Sequence, residues 1–339
     1  MKVLCAMSGG VDSTLAVKLL QRDGHSVTGA TLALYNTDTA LAQLAAREMG
    51  IEHHVIDASA EFKSNVLENF ASEYVKGRTP NPCVRCNMTV KFPLIYAFAM
   101  ERGFDAIATG HYAKAEYSEK YARRVIKKAQ DKSKDQSYVL CGLSRDIVEH
   151  TLFPLAAIHK TTVRAEAEKG AMASARVKDS QDICFVPDKD YVSFLENVMG
   201  VHTVPGNFID SFGNTLGTHK GIIRYTVGQR KGLGLSFDAP RFVIEKNASD
   251  NTVTLGRFEE QFRTRFTVRD FNWLAADAPE GEIKVQIKTR YAQQSVPSAL
   301  RCEDGRVLIE TSEPLRAVTA GQSAVAYDDD VLLGGGIIE

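Results

Sequence analysis

Two short stretches hold residues whose types and spacing could do chemistry. The first is Ser8-Gly9-Gly10-Val11-Asp12-Ser13. Gly9 and Gly10 let the backbone turn tightly and approach a ligand, while Ser8, Ser13 and the free amides of a following helix can donate to phosphate oxygens. A carboxylate beside phosphates needs a cation between them, so Asp12 predicts Mg²⁺. This is not a Walker loop, because no Gly-Lys-Ser/Thr ending follows and Lys18 lies beyond the motif. A plain strand-to-helix glycine turn would account for the glycines but not for two serines around an aspartate. The second stretch is Cys83-Val84-Arg85-Cys86, with Cys184 as the other thiol in a comparably special setting. A C-x-x-C pair can ligate a metal, form a redox disulfide, or be two small apolar residues. Three thiolates together suit a site with one position left open. Cys5 and Cys302 read as inert core thiols, and Cys141 lies in an apolar run.

The elements that must position these residues follow from periodicity. Residues 3–6 predict a buried parallel strand, and Leu15, Leu19 and Leu20 an apolar stripe on the next helix. Strands over 27–34 and 53–56 with a helix over 40–49 complete a β-α-β-α-β series, which calls for an open parallel sheet with helices on both faces and ligands at the carboxyl ends of its strands. Phe62, Val66, Leu67, Phe70 and Tyr74 keep helical spacing up to Gly77. Pro80 and Pro82 then predict an ordered loop carrying the cysteine pair. A strand over 104–109 ends in Gly110, where a ligand can come close, and His111 is either a phosphate or base contact or a polar strand end. Residues 121–136 carry Arg123, Arg124, Lys127, Lys128, Lys132 and Lys134 against Asp131 and Asp135, which favours phosphate-backbone contact over a solvated face. A helix over 163–172 leads to the stretch 178–185 containing Cys184.

From about Val204 the chain becomes glycine-rich, with Arg224, Gln229, Arg230 and Lys231, and predicts a small β-rich domain of tight hairpins suited to RNA backbone. After a linker near 261–265, alternating runs at 266–271, 283–289, 306–311, 323–327 and 331–333 predict a short-stranded barrel. The 339 residues allow two or three domains, and 41 basic against 42 acidic residues mean that a nucleic acid must be met by local patches. The opening apolar stretch ends at Ser8, which predicts a cytoplasmic rather than secreted chain, and the apolar run 92–100 is too short to span a membrane. Six cysteines in such a chain read as thiols, ligands or catalysts rather than as a disulfide framework.

Residues 8–13 resemble the PP-loop of the N-type ATP pyrophosphatases, enzymes that adenylate an oxygen atom and release pyrophosphate. Together with 77–86, 108–112, 134–138, 179–185, 225–234 and the ending 334–339, they resemble the MnmA-type tRNA-specific 2-thiouridylases over essentially the whole chain. The resemblance implies an α/β protein: an open parallel sheet with helices on both faces (the PP-loop fold) over 1–203, a small β-rich tRNA-binding domain over 204–262, and a C-terminal β-barrel over 263–339. It further implies ATP-dependent 2-thiolation of the wobble uridine of tRNAs for glutamate, lysine and glutamine, with Mg²⁺. Ala6, Met7, Ser8, Gly9, Gly10, Val11, Asp12 and Ser13 would bind ATP, with Leu32 near the adenine and Gly110 against the nucleotide. Asn81, Pro82 and Cys83 would lie at the target base, Cys86 would be the nucleophile and Cys184 the persulfide carrier. His111, Lys134, Asp135, Gln136, Arg290, Tyr291 and Gln322 match positions that touch or orient tRNA.

One position departs from the pattern. Cys83 stands where the commoner family sequence has aspartate. Two sulfur chemistries follow: a persulfide relay that leaves a Cys86 to Cys184 disulfide, or a 4Fe-4S cluster held through Cys83, Cys86 and Cys184 with one iron open for hydrosulfide. The sulfur donor would be a persulfide carrier protein or free sulfide, and no DNA partner is expected. The competing readings are another PP-loop adenylating enzyme and a non-catalytic RNA-binding iron-sulfur or zinc protein.

Overall fold

The first strand, β1 (Lys2–Ala6), buries Val3, Leu4 and Cys5 completely, as a strand covered on both faces must. In the computed structural model, which describes residues 1–169 and 183–339, β1 is central to a five-stranded sheet. Helix α1 (Val11–Arg22) follows it, and the sheet then grows in one direction through β2 (Ser26–Ala33) to β3 (His53–Asp57). The chain returns to the other side of β1 with β4 (Ala106–Thr109), and the short strand Thr151–Leu152 forms the far edge. All four pairings are parallel. This change of direction opens a crevice at the carboxyl ends of β1 and β4, where open α/β sheets hold their ligands. Residues 8–13 leave β1 there, and Gly110 and His111 leave β4.

The helix before the cysteine pair runs through Ser59–Phe62, a π-helical turn Lys63–Leu67 and Glu68–Val75. The cysteine pair itself departs from expectation. Rather than sitting on a loop, Cys83 and Cys86 lie in the helical turn Pro82–Cys86, because Pro82 occupies the first turn, where its missing N–H removes no intrahelical bond. The helix continues through a π-helical turn, Asn87–Lys91, into Phe92–Glu101. Pro93 has no N–H to offer Thr89 and its ring would crowd that carbonyl, so the helix widens just upstream. The helix expected over 163–172 starts at Lys160 and is described to Lys169; its expected end and residues 178–182 lie outside the described residues.

The glycine-rich region forms a four-stranded sheet from Gly206–Ile209, Thr215–His219, Phe242–Asn247 and Thr252–Gly256. Six strands, Phe262–Trp273, Ile283–Lys288, Val296–Glu303, Arg306–Arg316, Ser323–Asp328 and Val331–Ile338, close into an antiparallel barrel, the first pairing with the last. Here the expected linker at 261–265 is instead a buried Gln261 and the start of a strand, since Arg316 and Ala317 bond Gln261 into the barrel. The basic run at 121–136 contains half of a hairpin, Ala113–Ser118 with Arg123–Lys128, which extends the barrel sheet. Cys302 is exposed, not a core thiol, because it lies beside the turn of a barrel hairpin, where it pairs with Val307. No helix among the described residues is long and apolar enough to cross a membrane.

Candidate active site

The loop 8–13 owes its shape to Gly9 and Ser13. Gly9 has φ +78°, and a Cβ there would meet Leu41 Cβ at 2.7 Å. The Ser13 hydroxyl donates to Gly10 O at 3.0 Å and accepts from Ser8 N at 3.2 Å, so it closes the loop. The Ser8 side chain reaches solvent, as does part of Asp12. Met7, Val11 and Leu32 are buried in the core, which leaves Met7 and Val11 to face a ligand through their backbone. Gly110 is required by the protein itself: a Cβ there would lie 2.9 Å from Asp12 C and Ser13 N, so β4 ends against the first turn of α1.

Asp12 is engaged by two groups that the motif did not indicate. Lys160 Nζ lies 2.7 Å from each carboxylate oxygen, and the Tyr112 hydroxyl donates to Oδ1 at 2.8 Å. In the chain alone, the positive charge beside this carboxylate is an ammonium from a residue far along the chain. Asp12 would hold Mg²⁺ together with ATP phosphates, in keeping with a metal that takes one or two carboxylates and substrate oxygens.

The cysteine wall is built by the turn at 81–86. Asn81 Oδ1 accepts from Cys83 N at 3.1 Å and Val84 N at 3.2 Å, capping the helix. Cys86 is buried, while Cys83 and Cys184 reach solvent. Burial pushes the Cys86 thiol up to about 11, Lys91 pulls it down, and Cys184 and Cys83 raise it further. Burial likewise raises Cys83 and Cys184, and Lys91 opposes it at both. The three thiols therefore share one electrostatic neighbourhood with one ammonium. Lys91 closes the π-helical turn that starts next to Cys86, a geometry hidden in the sequence. Among the described residues no group of three or more His, Cys, Asp or Glu side chains is gathered to hold a single metal ion.

His111 joins the two walls. It follows Gly110, its Nδ1 lies 2.8 Å from Thr109 Oγ1, and its ring packs on Phe92 at 5.6 Å between centroids. Burial, with Lys91 nearby, holds it neutral. Other residues expected at tRNA brace the site. Asp135 is buried and accepts from Ala129 N and the Ser137 hydroxyl, and Gln136 Oε1 accepts from Tyr112 N. Gln322 Nε2 donates to Thr79 O at 2.8 Å, holding the strand of chain before Asn81 from the barrel side. The Arg290 guanidinium donates to Val227 O, Ala317 O and Thr319 Oγ1, tying the middle sheet to the barrel. Tyr291 is 42% exposed, its ring meets that of Tyr138 edge-on at 6.2 Å, and burial, with Asp135 and Cys83, raises its hydroxyl. Lys134 is partly exposed beside the site. In the basic run, Lys127 forms ion pairs with Glu116 and Asp330, and Arg123 with Asp277. Arg230 and Lys231 of the middle region are exposed, whereas Arg224 is bonded to Glu196.

Family comparison covers almost the entire chain. Residues 1–188 match the model described as a tRNA methyl transferase HUP domain, 192–257 the tRNA methyl transferase PRC-barrel domain, and 263–338 the aminomethyltransferase beta-barrel domain. A protein named tRNA-specific 2-thiouridylase MnmA from Clostridioides difficile (strain 630) is 40% identical over 353 residues, covering 100% of this chain and 98% of its own. One named tRNA-specific 2-thiouridylase MnmA 2 from Thermoanaerobacter sp. (strain X514) is 41% identical over 355 residues, covering 100% and 98%.

Proposed function

The chain belongs to the tRNA-specific 2-thiouridylase family, and on that premise we propose that it replaces oxygen by sulfur at carbon 2 of a tRNA wobble uridine, using ATP. The observation that carries this reading is the junction at Gly110 and His111. Gly110 touches the turn holding Asp12, and His111 shares the Lys91 field with Cys83, Cys86 and Cys184. A phosphate loop thus adjoins a thiol wall, which suits adenylation followed by sulfur delivery.

In the proposed reaction the uridine oxygen attacks the α-phosphorus, its bond to the bridging oxygen of the β-phosphate breaks, and pyrophosphate leaves. The adenylated oxygen is then a good leaving group. Sulfur arrives as a persulfide on Cys184, which is exposed to a persulfide carrier protein that hands over its outer sulfur and keeps its own thiol; free sulfide is the donor in the cluster reading. The Cys86 thiolate, stabilised by Lys91, attacks the Cys184 sulfur, releases hydrosulfide and closes a Cys86 to Cys184 disulfide. Hydrosulfide adds to carbon 2, AMP leaves, and a thiol reductant restores the pair. ATP and tRNA as substrates support a cytoplasmic location.

A second reading rests on Cys83, the thiol a two-cysteine relay does not need. Cys83, Cys86 and Cys184 would hold a 4Fe-4S cluster, which takes one thiolate per iron and so does not need its sulfurs to converge on a single ion. When bound, it would offer an open iron to hydrosulfide. Anaerobic assays with unmodified tRNA, ATP and either sulfide or a persulfide donor with a thiol reductant, read by nucleoside analysis beside iron and sulfide content, test both. Absence of ATP-dependent 2-thiouridine with either sulfur source would overturn the function, and a fully active preparation lacking iron and sulfide would overturn the cluster.

A further inference from the structure

We infer that Lys160 is the ammonium that receives the β- and γ-phosphates of ATP, and that its bond to Asp12 is the resting arrangement that magnesium and ATP replace. The inference rests on the reading that the loop 8–13 binds ATP.

The loop has no lysine of its own, yet it must take up a polyanion. Lys160, 148 residues away in sequence, supplies an ammonium at the loop, 2.7 Å from both oxygens of Asp12. Its side chain is only 10% exposed, whereas that of Asp12 is 34% exposed, so the pair lies against the protein on the lysine side and faces the crevice on the carboxylate side. A charge held this far out of water needs its partner, and the partner can be exchanged only for another anion. The main chain at Lys160 is fixed. Its N–H donates to Asp131 Oδ2 at 3.0 Å, and Asp131 is itself held by the Ser133 hydroxyl at 2.6 Å. Rotation of the four-carbon side chain is therefore enough to move the ammonium from carboxylate to phosphate. Lys18, the lysine nearest the motif in sequence, is spent on an exposed pair with Glu166 at 3.9 Å.

The exchange gives Asp12 and Lys160 separate tasks. With the ammonium on the phosphates, Asp12 is released to magnesium, and the Tyr112 hydroxyl keeps it oriented. When the α-phosphorus transfers to the uridine oxygen, the electron pair of the broken bond passes to pyrophosphate, and Lys160 faces that growing charge. Positive charge held at a developing anion once ATP is bound is a large source of rate enhancement.

The test measures binding of magnesium-free ATP to the full chain by titration calorimetry in chelator, with tRNA-dependent pyrophosphate release alongside. Loss of a charge-assisted bond to phosphate should weaken ATP binding by about 10- to 100-fold in Lys160→Gln. Lys160→Arg should stay within about fivefold of wild type, since the charge is retained. Asp12→Asn should bind magnesium-free ATP as well as wild type or better, because it removes a competitor for the ammonium. Wild-type affinity in Lys160→Gln would overturn the inference. If Lys160→Gln does not fold, Asp12→Asn decides the matter, and weaker magnesium-free binding in that variant would overturn it. A wild-type chain that binds no ATP would instead overturn the adenylation reading on which the inference stands.

Discussion

Asp12 answers to Lys160 and Tyr112 in the resting chain, and to magnesium in the proposed reaction. Asp12→Ala should therefore abolish tRNA-dependent pyrophosphate release while leaving tRNA affinity, measured by filter binding, within about threefold of wild type. Equal loss of both would mean that the loop is only structural. The loop stood out as a candidate phosphate site because glycine and serine around a carboxylate have few other uses. Lys160 was not readable, since a lysine at the start of a helix is common and only the fold brings it to Asp12. The cysteines divide in the same way. Cys83, Cys86 and Cys184 were singled out by spacing and setting, whereas the exposure of Cys302 depends on where a barrel hairpin turns.

At the level of elements, the helix carrying Cys83 and Cys86 depends on the turn that precedes it. Arg78 forms hydrogen bonds of 2.6 and 2.5 Å with buried Glu73, and so holds the chain where it leaves one helix for the next. Burial alone would raise the Glu73 carboxyl, but hydrogen bonding and the charge of Arg78 outweigh it and hold it below its ordinary value. A folded carboxyl with a depressed pKa contributes stability that is full above the unfolded value, about 4.3, and is lost as pH falls through the folded one. Glu73→Gln should cost about 1–3 kcal/mol at neutral pH and flatten the decline of Tm below about pH 4.5, as followed by thermal denaturation. An unchanged acid profile would show that the pair is not coupled to folding. The strands and helices of the parallel sheet were legible because their apolar periods are clean. The turn at Pro82 was misread because a proline that breaks a helix interior also starts one, and the π-helical turn at 87–91 reflects the competition between Pro93 and the carbonyl before it.

The whole molecule is organised so that the barrel grips the back of the catalytic unit. Tyr138 donates to Ser323 O, Asn272 to Cys141 O and Leu143 O, Thr79 N to Ala320 O, and Gln322 to Thr79 O. Gln322 thus acts on the chain leading into residues 81–83, the proposed target-base turn, from outside the proposed nucleotide loop. Gln322→Ala should lower the thiolation kcat by about 10- to 100-fold while ATP affinity stays unchanged, and a matching loss of ATP affinity would contradict this division. The presence of a barrel was legible from alternating runs. Its closure, and the hairpin 113–128 that joins it, were not, because pairing between distant strands leaves no local period.

The central claim is that ATP activation and sulfur delivery occur at adjoining but separate walls, and Cys86→Ser tests it most directly. In an anaerobic reaction with unmodified tRNA, ATP and the sulfur source that supports wild type, pyrophosphate and 2-thiouridine would be quantified from the same tube. The account predicts tRNA-dependent pyrophosphate release within about fivefold of wild type and no 2-thiouridine. Wild-type levels of 2-thiouridine from Cys86→Ser, or loss of pyrophosphate release together with thiolation in a folded variant, would contradict it.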